Sequence, residues 1–198
     1  MKKVLITILL ISQLASAQNK EYQQEIKEHR IELNNLFKHK KNSPLPKSDL
    51  KKFTSLPFFV AKDKYKVNAK LTYTFNSPIT YIQNTGGQTE AYQQYALATF
   101  TIDGKELSLS IYQSMSLKNK RGYENYLFIP FTDKSNGKTT YTGGRYLDTS
   151  IPKKSTGYIT LDFNKAYNPY CAYNKKYVCP IPPKNNYLDI EILAGVKY

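Results

Sequence analysis

The sequence has no tryptophan, only two cysteines and two histidines, and no apolar run long enough to cross a bilayer. Its cysteines and histidines do not have the close paired spacing of zinc ligands. It also contains no G-x-S-x-G nucleophile elbow and no RNA- or DNA-binding motif. We therefore expect no metal, no cofactor and no nucleic-acid partner.

The N-terminal stretch MKKVLITILLISQLASAQ is typical of a secretory signal peptide. Two lysines precede an apolar stretch at residues 4–11, and Ala15-Ser16-Ala17 supplies the small residues of a cleavage site. No cysteine follows the apolar stretch, so lipid attachment is not expected. We predict that residues 1–17 are removed and that the mature protein is soluble, periplasmic or secreted, without a transmembrane segment.

The chain is strongly basic, with 29 lysines and arginines against 15 acidic residues. Its net charge of +14 becomes +12 once the two lysines of the signal peptide are removed. Such a surface attracts anions, including acidic glycans and lipid headgroups of the envelope. Because the lysines are spread along the whole chain, however, the charge favours solubility more than it identifies a partner.

Apolar residues in the segment 18–42 recur at helical spacing. They are Tyr22, Ile26, His29, Leu33, Leu36 and Phe37. We predict an N-terminal helix that packs this stripe on a sheet and ends before Pro44, because the residue before a proline avoids the helical region. His29 lies on the stripe, where a packed, hydrogen-bonded histidine is a more common use than a ligand or base.

From residue 66 onward the apolar period changes to two, and the 18 tyrosines and 9 phenylalanines also favour strands. The run KVNAKLTYTF places on one face Val67, Ala69, Leu71, Tyr73 and Phe75. Asp103-Gly104 separates two further runs and predicts a tight hairpin. The fold class is therefore mainly β: residues 43–198 form a single antiparallel barrel or sandwich of about eight strands, in one globular unit with the helix.

The run YLFIPFTDKSNGKTTYTGGRYLD, residues 126–148, is the most suggestive of binding. Gly143-Gly144 interrupts a predicted strand, which indicates a bulge or a close backbone approach. Arg145 follows, and its guanidinium suits a carboxylate or phosphate. Two interpretations stay open: Arg145 binds a ligand, or it pairs with a nearby aspartate and closes one end of the barrel.

Acidic residues could also serve a hydrolase, since glycoside hydrolysis uses two carboxylates that meet in space. The sequence offers Glu124, Asp133, Asp148 and Asp162 without ranking them. A free thiol paired with a histidine is a further alternative, which an oxidising compartment disfavours.

Both cysteines lie in NPYCAYNKKYVCPIPPKNN, residues 168–186. A hairpin centred on Lys175 would place Cys171 opposite Cys179, within disulfide reach. We predict this disulfide, which would stabilise the fold by about 2.5 kcal/mol. In the same loop, we expect Asn168, Tyr170 and Tyr173 to contact a ligand.

Several segments together resemble a bacterial family, the domain of unknown function 1684 family. They are SPL at 43–45, the stretch FTSLPFF at 53–59, PFTD with GKTTYTGGRYL within 130–147, LDFNKAYNPYCAY at 161–173, CPIPPKNN at 179–186 and the final AG at 194–195. The resemblance covers most of the mature chain. It implies a fold but no activity, because fold does not imply function.

These features predict an exported β-rich domain, in the first place a non-catalytic binding protein for a small or anionic ligand. Its expected site residues are Arg145, Asp133, Tyr141, Asn168, Tyr170, Tyr173 and Glu124. Two alternatives are a periplasmic hydrolase that uses carboxylates or a thiol, and a module that binds a protein partner in the envelope.

Overall fold

The computed structural model describes residues 2–74, 76–154 and 156–198, and it describes side chains from residue 20 onward. Two helices and eight strands follow one another along these residues. They are α1 (Lys2–Lys38), α2 (Lys47–Leu50), β1 (Lys66–Tyr73), β2 (Ile79–Gln83), β3 (Thr89–Ile102), β4 (Lys105–Ser114), β5 (Tyr126–Asp133), β6 (Arg145–Ser150), β7 (Tyr158–Asp162) and β8 (Tyr187–Leu188). Within these ranges, no helix is long and apolar enough to cross a membrane. The side chains of the predicted signal peptide lie outside the described residues.

The strands form one sheet in the order β6-β5-β4-β3-β1-β7, with β2 paired to β3 and β8 paired to β5. All pairs are antiparallel except β5–β8. The sheet curls into a half-barrel. The prediction of a mainly β fold with about eight antiparallel strands and an N-terminal helix is confirmed.

A tight turn and long-range hydrogen bonds from one side chain set where two of the strands end. Asp103 and Gly104 both have positive φ, at 51° and 77°, as a two-residue hairpin of type I′ requires. The alternating pattern of YLDIEIL, residues 187–193, predicts a last strand, but only Tyr187–Leu188 is paired. Beyond it the carbonyls of Ile192 and Ala194 accept hydrogen bonds from a side chain, that of Arg145, and this segment therefore leaves the sheet.

The main core fills the concave side of the sheet. On β1 the alternation places Val67, Ala69 and Leu71 in this core, while Tyr73 is half-buried and Phe75 lies outside the described residues. The neighbouring strands contribute Ala96, Ala98, Phe100, Leu109, Ile111, Leu127, Ile129 and Phe131. Each buried Leu, Ile or Phe side chain stabilises the fold by about 1.5–3 kcal/mol, so this layer supplies most of the hydrophobic stabilisation.

Helix α1 packs on the end of β7 and on loops rather than on a sheet face, which corrects the predicted packing. Tyr22 donates to the Asp162 carboxylate at 3.0 Å, and Phe37 meets the Tyr173 ring edge-on at 4.9 Å. The helix ends at Lys38, four residues earlier than predicted, since the turn after it bonds back to His39. Leu36 is 36% exposed, so it does not belong to the buried stripe.

A second, smaller apolar layer covers the convex side of the sheet. Its buried members are Ile82, Tyr92, Tyr112, Phe128, Tyr146 and Cys179. They lie under the segment 167–180, which crosses the outer face of the sheet. Strand β5 is therefore buried on both faces, and this second layer holds the candidate site.

Candidate functional site

A cavity of about 340 Å³ lies between the outer face of the sheet and the segment 167–180. Half of its lining residues are aromatic. They are Tyr92, Tyr126, Phe128, Tyr146, Tyr167, Tyr170 and Tyr177. Glu90, Leu117 and Val178 also line it, and Val178 is 51% exposed, which places it at the mouth. We call this the tyrosine cavity.

Strand register places the floor of the tyrosine cavity. Phe128 pairs with Asp148 across β5 and β6, so their side chains share the outer face with Tyr126 and Tyr146. The Phe128 ring meets the Tyr146 ring at 4.7 Å and the Tyr92 ring at 5.9 Å. These contacts make the floor a continuous aromatic surface.

The roof of the cavity is held to the sheet at both of its ends. At one end, Tyr146 and Tyr167 exchange two backbone hydrogen bonds of 2.9 and 3.0 Å. At the other end, the Thr85 amide donates to the Cys179 carbonyl at 3.0 Å, and the Tyr146 hydroxyl donates to the Pro180 carbonyl. The cavity therefore has fixed walls rather than a loose loop above it.

Two carboxylates accept hydrogen bonds from tyrosines of the cavity. Asp148 accepts from Tyr126 at 2.8 Å and from Tyr167 at 2.9 Å, and Glu90 accepts from Tyr92 at 3.1 Å. Water reaches Asp148, yet protein atoms surround it on most sides. This burial raises the pKa of the Asp148 carboxyl, while the hydrogen bonds from the two tyrosines oppose the shift.

Four tyrosine hydroxyls of the cavity are kept in their neutral, hydrogen-bonded form. Burial is the largest cause that raises the pKa of Tyr92, Tyr126, Tyr146 and Tyr167. The negative charge of Asp148 raises the pKa of Tyr126 and Tyr167 further. The cavity therefore presents aromatic rings and neutral hydroxyls around its carboxylates.

Arg145 and Asp133 do not reach this cavity, because both side chains are 0% exposed and lie in the main core. Arg145 Nη2 donates to Asp133 at 2.8 Å, and the guanidinium also donates to the carbonyls of Ile192 and Ala194. Burial lowers the pKa of Arg145, and the Asp133 carboxylate opposes that shift. The geometry favours the structural interpretation of Arg145, in which it pairs with an aspartate.

Gly144 explains why Arg145 points inward. Its φ is +89°, and a Cβ there would lie 2.7 Å from the carbonyl oxygen of Phe131. The predicted close backbone approach is thus confirmed, while β6 begins only after it, at Arg145. Glycine at this position lets the chain turn against β5 and direct the guanidinium into the core.

Of the seven predicted site residues, Tyr170 alone lines the cavity. Asn168 is buried beside it and donates to the hydroxyl of Tyr173 at 3.1 Å. Tyr141 packs edge-on against the Tyr198 ring at 5.0 Å. Glu124 lies in the exposed loop before β5 and accepts from the amide of Gly122 at 2.8 Å. The Tyr173 ring also meets the Tyr198 ring at 6.5 Å, so Tyr141, Tyr173 and Asn168 lie together around Tyr198, whereas Glu124 and the Arg145–Asp133 pair lie elsewhere.

The two cysteines are adjacent, but the predicted hairpin around them is wrong. Residues Tyr170–Ala172 form a 3₁₀ turn, and the amides of Tyr173 and Asn174 donate to the Tyr170 carbonyl, which removes them from strand pairing. Both thiols are free, and the Cys171 amide donates to the Cys179 sulfur at 3.2 Å. Burial raises the pKa of Cys179 to about 12. The disulfide stays a prediction.

The four carboxylates considered for hydrolysis are held by separate partners. Asp133 bonds Arg145, Asp162 bonds Tyr22, and Glu124 bonds its own loop, whereas only Asp148 adjoins the cavity through tyrosines. Among the residues with described side chains, no group of three or more His, Cys, Asp or Glu could hold a metal ion. The described geometry thus supplies neither a predicted carboxylate pair nor a metal centre.

Sequence reasoning missed most of the residues that line the cavity. The usable signal was in YLFIPF, residues 126–131, where both alternating sets of side chains are apolar or aromatic. Leu127 and Ile129 face the main core, so Tyr126 and Phe128 require a second covering layer. That covering layer is the segment 167–180, whose position the sequence does not specify.

Comparisons with known proteins show the family and the fold of this chain. Residues 51–197 match the model of a family described as "Protein of unknown function (DUF1684)". The chain is also similar to the solution NMR structure of an uncharacterized protein from Haloarcula marismortui, with 28% identity and a TM-score of 0.71. That similarity covers 92% of this chain and 97% of the other. No curated protein matches the chain.

Proposed function

Because the chain belongs to the DUF1684 family, whose description names no activity, its function has to be inferred from its own site, and we propose that it is an exported, non-catalytic protein that binds a small ligand. The observation that carries this proposal is the tyrosine cavity, with its fixed walls and its opening beside Val178. Export rests on the signal-like sequence of residues 1–17.

The tyrosine cavity has the properties of a small-ligand site. Its volume of about 340 Å³ lies near the lower end of the usual range for such sites, roughly 300–1,000 Å³. Half of its lining residues are aromatic, and a few polar groups can orient a ligand. The aromatic rings would bury the ligand, and the carboxylates and hydroxyls would select it.

A non-catalytic role is favoured over the hydrolase alternative. A thiol nucleophile acts as thiolate, and the raised pKa of Cys179, about 12, keeps this thiol protonated. The carboxylates considered for hydrolysis have separate partners, as described above. A module that binds an envelope partner, through its basic surface or its sheet edges, stays a prediction.

A substitution that blocks the opening of the cavity tests the proposal without changing a core residue. We expect native mass spectrometry or a thermal-shift panel to detect a small ligand on the mature protein and to lose it in Val178→Trp, whose indole would fill the opening. Val60→Trp is the matched control, because Val60 is also exposed, at 77%, and does not line the cavity. Ligand binding that is equal in both variants, or absent from the wild-type protein, would contradict the proposal.

A further inference from the structure

We propose that the tyrosine cavity selects organic cations, namely compounds with a substituted ammonium group. This inference rests on the proposed function, since it names the ligand class of the same site. It joins three observations: the charge of the lining, the direction of the tyrosine hydroxyl groups and the arrangement of the aromatic rings.

The charge of the lining is opposite to that of the whole protein. The chain carries a net charge of +14, yet no lysine, arginine or histidine stands among the described residues that line the cavity. Glu90 lines it, and Asp148 lies directly behind Tyr126 and Tyr167. A cation that enters would therefore meet the Glu90 carboxylate directly, with the Asp148 carboxylate behind the two tyrosines. On the roof, the Lys176 ammonium already lies 4.9 Å from the centre of the Tyr177 ring.

Four of the six tyrosine hydroxyl groups that line the cavity already donate hydrogen bonds within the protein. Tyr126 and Tyr167 donate to Asp148, Tyr92 donates to Glu90, and Tyr146 donates to the carbonyl of Pro180. An anion needs such donors, and it would have to break these bonds before binding. The lone pairs of these hydroxyl oxygens and the faces of the aromatic rings both carry negative potential, which suits a cation.

Aromatic rings line both the floor and the roof of the cavity. The Phe128 and Tyr146 rings meet at 73°, and the Tyr146 and Tyr167 rings meet at 87°, so the rings present differently oriented faces. Tyr170 and Tyr177 contact each other at 5.3 Å on the roof. Rings arranged around a cation, with carboxylates nearby, are the usual protein solution for binding an alkylated ammonium group.

Three probes of similar bulk and different charge test the inference by calorimetric or NMR titration of the mature protein. They are choline, the neutral alcohol in which carbon replaces the nitrogen of choline, and the anion pivalate. We expect choline to bind about tenfold more tightly than the neutral alcohol, and pivalate to bind most weakly.

Glu90→Gln removes one charge and keeps an oxygen that can accept from Tyr92. We expect this variant to weaken choline binding about three- to tenfold and to leave the neutral alcohol unchanged. Glu106→Gln is the control, since Glu106 is an exposed glutamate beside the Asp103-Gly104 turn. It should change neither affinity.

The outcomes separate the inference from the proposed function. The cation inference is wrong if the neutral alcohol or pivalate binds as tightly as choline. If that binding is lost in Val178→Trp, the proposed function still holds. Equal losses of choline binding in Glu90→Gln and Glu106→Gln would also overturn the cation inference. If none of the three probes binds the wild-type protein more tightly than Val178→Trp, both the cation inference and the proposed ligand site are wrong.

Discussion

Arg145 Nη2 lies 2.8 Å from Asp133 Oδ2, and neither side chain has any exposed surface. The same guanidinium donates to the carbonyls of Ile192 and Ala194, while Asp133 accepts from the amide of Ser135 at 2.8 Å. The pair therefore ties β5, β6 and the C-terminal segment together inside the core. Its contacts account for the irregular path of the chain after β8.

Arg145→Met should destabilise the protein by about 3–5 kcal/mol, because it leaves the Asp133 carboxylate buried without its counter-charge. Urea denaturation of the mature protein measures this change. Lys105→Met is the control, since Lys105 pairs with Asp189 at the surface, where an ion pair contributes little. Similar losses in both variants would show that burial of the Arg145 pair does not matter.

Gly144→Ala should destabilise the protein more than Gly87→Ala. Both glycines have positive φ, at 89° and 79°, so both variants carry the same backbone strain of about 1–2 kcal/mol. At Gly144 the new Cβ would also meet the Phe131 carbonyl oxygen at 2.7 Å, whereas at Gly87 it would meet nothing within 4 Å. Thermal unfolding of the two variants compares them, and equal melting temperatures would refute the close approach.

Local signals were sufficient to predict most strands. Apolar alternation predicted β1, and the Asp103-Gly104 dipeptide predicted the β3–β4 hairpin, which the positive φ of both residues bears out. Both signals depend on neighbouring residues alone. The last strand was predicted too long. Its pattern continues to Leu193, but Arg145, far away in sequence, binds the carbonyls that a strand would use.

The site was much harder to predict than the fold, because its parts come together across the sheet. Arginine is a residue type that often binds ligands, but the complete burial of Arg145 shows that it forms an ion pair inside the core instead. Tyr92 lies on β3 and Phe128 on β5, and these two strands are brought together only because both pair with β4 in the folded sheet. A sequence shows that these positions are aromatic, and it does not show that they share a cavity.

Oxidation should join Cys171 to Cys179, because the two residues are already in contact. We expect unreduced, denatured protein purified from the periplasm or medium to show no reactive thiol, and reduction to lower the free energy of unfolding by about 2.5 kcal/mol. The variant with both cysteines changed to serine should match the reduced protein. Two reactive thiols before reduction would rule out the disulfide.

Export should remove residues 1–17, so that the mature chain begins at Gln18. Cell fractionation followed by mass measurement of the intact protein tests this. Ala15→Leu with Ala17→Leu replaces the small residues of the cleavage site, and we expect this variant to keep its full length. A wild-type protein that stays in the cytoplasm with all 198 residues would contradict the prediction.

Alkaline pH should unfold the protein steeply, because burial raises the pKa of Tyr92 and Tyr146 in the folded state. Above about pH 10 these hydroxyls ionise in the unfolded chain but stay protonated in the folded one. The unfolded state then binds fewer protons, so stability falls as pH rises, by about 1.4 kcal/mol per pH unit for each such tyrosine. Urea denaturation at a series of pH values measures the slope, and the part of the tyrosinate absorbance that comes from the buried tyrosines should appear together with unfolding. Tyr146→Phe should reduce the slope by the share of one tyrosine, and an unchanged slope in this variant would contradict the prediction.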